Sequence, residues 1–177
     1  MSPSDQLLEQ LLIFRCQIGD RDAFAELIGR YQKPLRYFIS HLLGKSQITE
    51  DVFQDTWLTV IRRIHTLKKA DAFPIWLYRI ARNRVYQELR KKRQLLTLHE
   101  NLEAPSSTDD IIFSPDDVAK IHECLEKLRP EYREVLMLRF LEQMPYRDIA
   151  QVISCDLGTV KSRIHYAKRA LKQEMEE

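Results

Sequence analysis

Glycine is scarce in this chain, at 4 of 177 residues. Together with long stretches of Leu, Ile, Arg, Glu and Ala, that scarcity points to an all-helical protein. No glycine-rich phosphate loop and no GxSxG elbow is present, so two common enzyme classes are excluded. Cysteine is also thin. Cys16, Cys124 and Cys155 are odd in number and far apart, with no CxxC pair, which fits reduced thiols better than a disulfide framework or a zinc site. His41, His65, His99, His122 and His165 form no HxxxH or HExxH spacing, so no metal site is expected. No apolar run approaches the roughly 18 residues needed to cross a bilayer. The opening MSPSDQLLEQ lacks a basic segment followed by an apolar one, so no export signal is expected and the protein reads as soluble and cytoplasmic. The acid pairs Asp109-Asp110 and Asp116-Asp117 fall where a loop is expected and read as solvated rather than catalytic. No catalytic residue and no cofactor follows from these patterns.

What the chain does have is segregated charge. The net charge is +2, yet the two signs are sorted along the sequence. Tyr78 to Arg93 carries Arg79, Arg82, Arg84, Arg90, Lys91, Lys92 and Arg93 against the single acid Glu88. Thr97 to Val118 carries Glu100, Glu103, Asp109, Asp110, Asp116 and Asp117 and no Lys or Arg. The stretch GTVKSRIHYAKRALK near the end is basic again, without an acid. Two basic blocks separated by an acidic connector suggest two contact surfaces for a polyanion.

Apolar periodicity gives a series of helices. Leu7, Leu8, Leu11 and Leu12 predict a short amphipathic helix. A second begins after Gly19-Asp20, with Phe24, Leu27, Ile28 and Tyr31 on one face, a break or kink expected at Pro34, and Leu35, Phe38, Ile39 and Leu42 resuming the period to Gly44. Thr49 is expected to cap a third helix, whose inner stripe is Val52, Phe53, Thr56, Trp57, Val60, Ile61 and Ile64. After the polar loop His65 to Asp71, Asp71 is expected to cap a fourth helix, with Phe73, Trp76, Leu77, Ile80, Val85 and Leu89 inward and Pro74 tolerated in its first turn. Trp76 reads as core rather than as a stacking platform. Between about Gln94 and Pro115 the period fades into a segment rich in Pro, Ser and acids, the composition of a linker. Pattern returns with Val118, Ile121, Leu125 and Leu128, and Pro130 and Pro145 each open a further helix. The reading is two small helical bundles, 1–93 and 116–177, joined by a flexible acidic linker, 94–115, with no repeat and no heptad run of coiled-coil length.

On a wheel of about 100° per residue, Val160, Ile164, Ala167 and Leu171 of the last helix fall together and must pack inward. Ser162, His165, Tyr166 and Arg169 lie opposite, with Thr159, Lys161, Arg163, Lys168 and Lys172 on the flanks. A short preceding helix and the turn Ser154-Cys155-Asp156-Leu157 complete a helix-turn-helix, in which the second helix enters the major groove and flanking cations meet phosphates. A solvated helix that merely aids solubility is the competing reading; the absence of acids weighs against it.

At this point the sequence resembles a known family. LRPEYREVLMLRFLEQMPYRDIAQVISCDLGTVKSRIHYAKRAL resembles the promoter-reading C-terminal domain of bacterial sigma factors of the extracytoplasmic-function (ECF) group. DAFAELIGRYQKPLRYFI, EDVFQDTWLTVIRRI and AFPIWLYRIARNRVYQELRKKR resemble successive segments of that group's other conserved domain, in the same order. The resemblance implies that the chain binds core RNA polymerase, recognises the −10 and −35 promoter elements and starts transcription, without catalytic chemistry of its own. It implies that Asp51, Gln54, Asp55 and Leu58 dock on core polymerase, acids pairing with cations and the leucine supplying apolar contact. It implies that the loop with His65, Lys68 and Lys69 accepts a base turned out of the stack, and that Arg79, Arg82, Asn83, Tyr86, Gln87 and Arg90 meet the downstream element. Thr159, Lys161, Ser162, Arg163, His165, Tyr166 and Arg169 would meet the upstream element. Partners implied are core polymerase, promoter DNA and an anti-sigma factor, often membrane-tethered, with no membrane insertion of this chain. A linker of about 22 residues spans up to roughly 70 Å, enough for elements one to two helical turns apart; it serves either as an RNA-like acidic strand inside the polymerase or as a solubilising spacer. Ser154 stands where a turn glycine is common, Tyr166 where an arginine is frequent, and Pro145 where a small polar cap is usual.

The alternative is a stand-alone helix-turn-helix regulator, since Leu128 to Leu171 alone also resembles that class. The helical pattern throughout 1–93 argues against a receiver domain with alternating strands.

Overall fold

The computed structural model describes residues 3–44, 47–95 and 118–176. Among them the chain forms eight α-helices and no strand, and it divides into two compact units, Met1–Glu88 and Leu89–Glu177. Residues 96–117, which hold most of the expected linker together with Glu100, Glu103, Asp109, Asp110, Asp116, Asp117 and His99, lie outside the described residues.

The N-terminal unit comprises α1 (Pro3–Gln17), α2 (Arg21–Leu43), α3 (Gln47–Arg63), two short 3-10 turns (Ile64–Thr66 and Ala70–Ala72) and most of α4 (Phe73–Leu95). Gly19 takes a positive φ of 88° to turn the chain out of α1, and Asp20 then caps α2, its carboxylate accepting from the N–H groups of Asp22 and Ala23 at 3.0 and 3.1 Å. Arg15 closes the corner on Asp20 at 2.6 Å. Of the break or kink expected at Pro34, the break does not occur: α2 is one continuous helix from Arg21 to Leu43. Leu27 on one side of the proline and Leu35, Phe38 and Ile39 on the other are all buried, and this shared packing outweighs the one ladder bond the proline removes.

Thr49 and Asp71 take other roles than the expected caps. α3 begins at Gln47, and Thr49, buried in its first turn, donates its hydroxyl to the Gly44 carbonyl at 2.5 Å, tying α3 to the end of α2. Asp71 sits inside the second 3-10 turn, and α4 starts at Phe73. The core collects Leu12, Ile13, Leu27, Phe38, Val52, Trp57, Val60, Ile64, Phe73, Leu77, Tyr78, Ala81 and Val85. Each of the larger aliphatic and aromatic side chains among them contributes about 1.5–3 kcal/mol when fully buried. Tyr78 is fully buried, edge-on to Phe38 at 5.2 Å. Trp76, expected in the core, is only half-buried, beside Phe73. Ile61, expected inward, is exposed, and on α1 only Leu12 of the four leucines is buried.

The C-terminal unit holds α5 (Val118–Lys127), α6 (Pro130–Leu136), a π-helical turn (Met137–Leu141), α7 (Tyr146–Ile153) and α8 (Leu157–Glu176). The apolar period through PEYREVLMLRFLEQ predicted one α-helix, but its second half winds wider, with the Glu142 N–H reaching back to the Met137 carbonyl at 3.1 Å. α8 packs against α5, α6 and α7 through Val160, Ile164, Ala167 and Leu171, the four residues the wheel placed inward. It extends to Glu176, and Glu174 pairs with Lys127 of α5 at 3.3 Å.

Candidate nucleic-acid and protein interfaces

The outer face of α3 carries the expected docking residues. Asp51, Gln54, Asp55 and Leu58 are all exposed, while Val52, Phe53, Thr56 and Trp57 on the other side are buried. Ile48 and Ile61 stand exposed at either end of that face, three residues before Asp51 and three after Leu58, so the surface is acids framed by apolar side chains. The apolar period assigned Ile61 to the core, and Ile48 lies ahead of the stripe that the period traces, so neither was expected on this surface. Asp51 accepts from the Gln47 amide at 3.3 Å, and Asp55 lies 3.4 Å from Arg84 of α4, whose guanidinium also donates to Thr59 at 3.3 Å. Arg84 is therefore drawn toward α3 instead of joining the outer face of α4. The pair is exposed and contributes little to stability.

Between α3 and α4, His65, Lys68 and Lys69 are exposed on the loop. The loop is held by Gln17, whose amide donates to the carbonyls of Ile64 at 3.1 Å and Leu67 at 2.7 Å. Gln17 thus positions three candidate DNA-facing side chains from a distant part of the sequence, and no local pattern signals it. On α4, Arg79, Asn83, Gln87 and Arg90 are exposed in successive turns. Arg82 and Tyr86 are half-buried beside them, the guanidinium carbon 4.4 Å from the ring centre, a cation–π pair that fixes both groups.

In the C-terminal unit α7 ends on Ser154, whose φ of 55° and ψ of 50° lie in the left-handed region usually filled by glycine. The next N–H, of Cys155, returns to the Ala150 carbonyl at 3.1 Å. Asp156 then caps α8: its carboxylate accepts from the Thr159 N–H at 2.8 Å and the Thr159 hydroxyl at 2.6 Å. Those bonds, the hydroxyl first, hold its pKa below the ordinary carboxylate value. Gly158 leaves room for this cap, since a Cβ there would come within 3.0 Å of the Asp156 carboxylate. The D-x-x-T spacing was the signal that could have located the cap.

Along α8, Lys161, Ser162 and Tyr166 are exposed, and Thr159, Arg163, His165 and Arg169 are half-buried. Thr159 spends its hydroxyl proton on Asp156, and Ser162 spends its own on the Thr159 carbonyl at 3.0 Å. His165 meets Tyr166 edge-on at 5.4 Å. Arg169 has one guanidinium nitrogen shut off from solvent without a hydrogen-bond partner. Lys168 lies 5.5 Å from the Phe140 ring, at the rim of an apolar groove of about 170 Å³ floored by Leu125, Leu136, Met137 and Leu171. Among the described residues no group of His, Cys, Asp and Glu could hold a metal ion, and no helix is long and apolar enough to cross a membrane. Burial first, then Asp20, pushes the Cys16 thiol up to about 11, which leaves it unreactive at neutral pH.

Residues 27–94 match Sigma-70 region 2, and residues 119–171 match Sigma-70, region 4. A region 2 followed by a region 4 is the make-up of a sigma-type transcription initiation factor, and the two matches together span more than half of the chain. Among similar proteins, the ECF RNA polymerase sigma factor SigW of Bacillus subtilis (strain 168) is 27% identical over 170 residues, 89% of this chain and 91% of that protein. The ECF RNA polymerase sigma-E factor of Haemophilus influenzae is 27% identical over 186 aligned positions, 98% of each chain. The sigma factor RpoE from Bartonella quintana, solved in complex with the anti-sigma factor NepR, shares the fold with a TM-score of 0.69 at 23% identity, over 86% of this chain and 96% of that one. The chain belongs to the ECF sigma factors: it binds core RNA polymerase, recognises the two promoter elements and starts DNA-templated transcription.

Proposed function

We propose that this sigma factor divides its work among three surfaces. The face of α3 with Asp51, Gln54, Asp55 and Leu58, extended by Ile48 and Ile61, docks on core polymerase. The loop residues His65, Lys68 and Lys69, with Arg79, Arg82, Asn83, Tyr86, Gln87 and Arg90 of α4, take the downstream element and the opened strand. Thr159, Lys161, Ser162, Arg163, His165, Tyr166 and Arg169 of α8 take the upstream element, the exposed side chains reaching bases or phosphates first. The linker, 94–115, joins the two domains, 1–93 and 116–177. The protein works in the cytoplasm, carries out no catalysis and needs no cofactor. An anti-sigma factor holds it inactive, as the complex of the Bartonella protein suggests, and the apolar groove beside Phe140 offers such a partner a place for an apolar side chain.

The observation that carries this reading is the α3 face, where acids and exposed apolar side chains share one side of a helix whose other side is fully packed. The double substitution Asp51→Lys/Asp55→Lys is expected to lower affinity for core polymerase at least tenfold in a pull-down titration, with the helical circular dichroism unchanged. Arg84→Ala, which removes the internal partner of Asp55 and Thr59 but no residue of the docking face, is expected to leave binding near wild type. Undiminished association of the double variant rejects the docking assignment.

A further inference from the structure

α1 has two apolar faces, and the N-terminal unit uses one of them. Leu12, Ile13 and Cys16 are buried in the core, whereas Leu7, Leu8, Leu11, Phe14 and Ile18 are each more than half exposed. The helical path reaches Ile18, whose N–H still bonds to the Phe14 carbonyl at 3.2 Å. Leu7, Leu11, Phe14 and Ile18 follow one another at intervals of four, three and four residues, the spacing of a two-heptad seam. The seam is too short for a free-standing coiled coil, but here α1 is already fixed to α2 by its inner face. The flanking positions Gln6, Gln10 and Gln17 are uncharged amides. The charges flanking its centre are engaged elsewhere: Arg15 on Asp20, and Glu9 as acceptor of the Tyr31 hydroxyl. The stripe therefore selects no charged partner, and its chemistry fits another neutral apolar seam.

The pattern is also self-complementary. It is symmetric about the point between Leu11 and Phe14, so a second α1 running antiparallel sets Leu7 against Ile18 and Leu11 against Phe14, with the helix dipoles opposed. The apolar surface involved is on the order of 500 Å² per copy, at the upper end of what a monomer leaves uncovered. Two copies together remove about 1,000 Å², the lower bound for a specific interface. We propose that the free protein forms a reversible homodimer through antiparallel packing of α1 on α1 of a second copy.

Sedimentation velocity of the full chain across low to high micromolar concentration tests this. The wild type is expected to shift from monomer to dimer as concentration rises, and Leu11→Glu and Phe14→Glu are each expected to raise the dissociation constant at least tenfold without changing helicity. In a Cys155→Ser background, Leu7→Cys/Ile18→Cys keeps the centre of the seam and is expected to give an oxidised covalent dimer, whereas Leu7→Cys alone gives little. A wild type that stays monomeric throughout, or a dimer indifferent to both glutamate substitutions, overturns the proposal. So does a monomer in which Leu11→Glu abolishes binding of an anti-sigma protein, since the stripe then belongs to that partner.

Discussion

Ser154 holds a backbone conformation that an L-residue enters at a cost of about 1–2 kcal/mol, and its side chain is exposed, so nothing in its packing offsets the strain. Ser154→Gly is expected to raise the unfolding free energy by about 0.5–1 kcal/mol, read as a higher urea midpoint at unchanged slope; a lower midpoint contradicts the assignment. Two other single residues fix helix starts. Asp20 at α2 and Asp156 at α8 both have pKa values lowered from 3.8, Asp20 first by the Ala23 N–H and then by Arg15, Asp156 by the Thr159 hydroxyl and N–H. A depressed carboxylate stabilises the fold above its unfolded pKa, and that contribution is lost as pH falls through the folded value. Thermal midpoints are therefore expected to fall on acidification below about pH 4. Asp20→Asn/Asp156→Asn, which keeps capping ability without a titrating group, is expected to flatten that fall. An acid limb identical to wild type would show that other carboxylates govern it.

At the scale of the helix, burial on one side sorts what the other side can do. α8 buries Val160, Ile164, Ala167 and Leu171 and leaves Lys161, Ser162 and Tyr166 exposed. Lys161→Ala is expected to weaken upstream-element binding about evenly across sequences and to lower the salt-dependence slope by about 1, measured by fluorescence anisotropy at several salt concentrations; an unchanged slope removes Lys161 from the phosphate contacts. The inward face of this helix was legible in the sequence because its period is regular and uninterrupted. The inner and outer sides of α1 were not, since apolar residues lie on both and the wheel cannot tell which one a neighbour covers. Pro34 and Thr49 misled for a related reason: local propensity favours a break and a cap, and tertiary packing overrode both. The π-helical turn at Met137–Leu141 leaves no trace in an apolar run that suits either helix.

For the whole molecule, the family and the all-helical class were readable because charge, period and four motifs in order agreed along most of the chain. The candidate site was legible where it depends on exposed residue types within one helix. It was not where distant residues converge, as with Gln17 on the loop before α4 and Arg84 on Asp55. The central claim is that two cationic modules, anchored through α3, give core polymerase its choice of start site. Run-off transcription with core polymerase and a pool of genomic fragments measures that choice. Adding this protein is expected to produce discrete transcripts from a subset of fragments, and Asp51→Lys/Asp55→Lys is expected to abolish them. A transcript pattern identical with and without the protein would contradict the account.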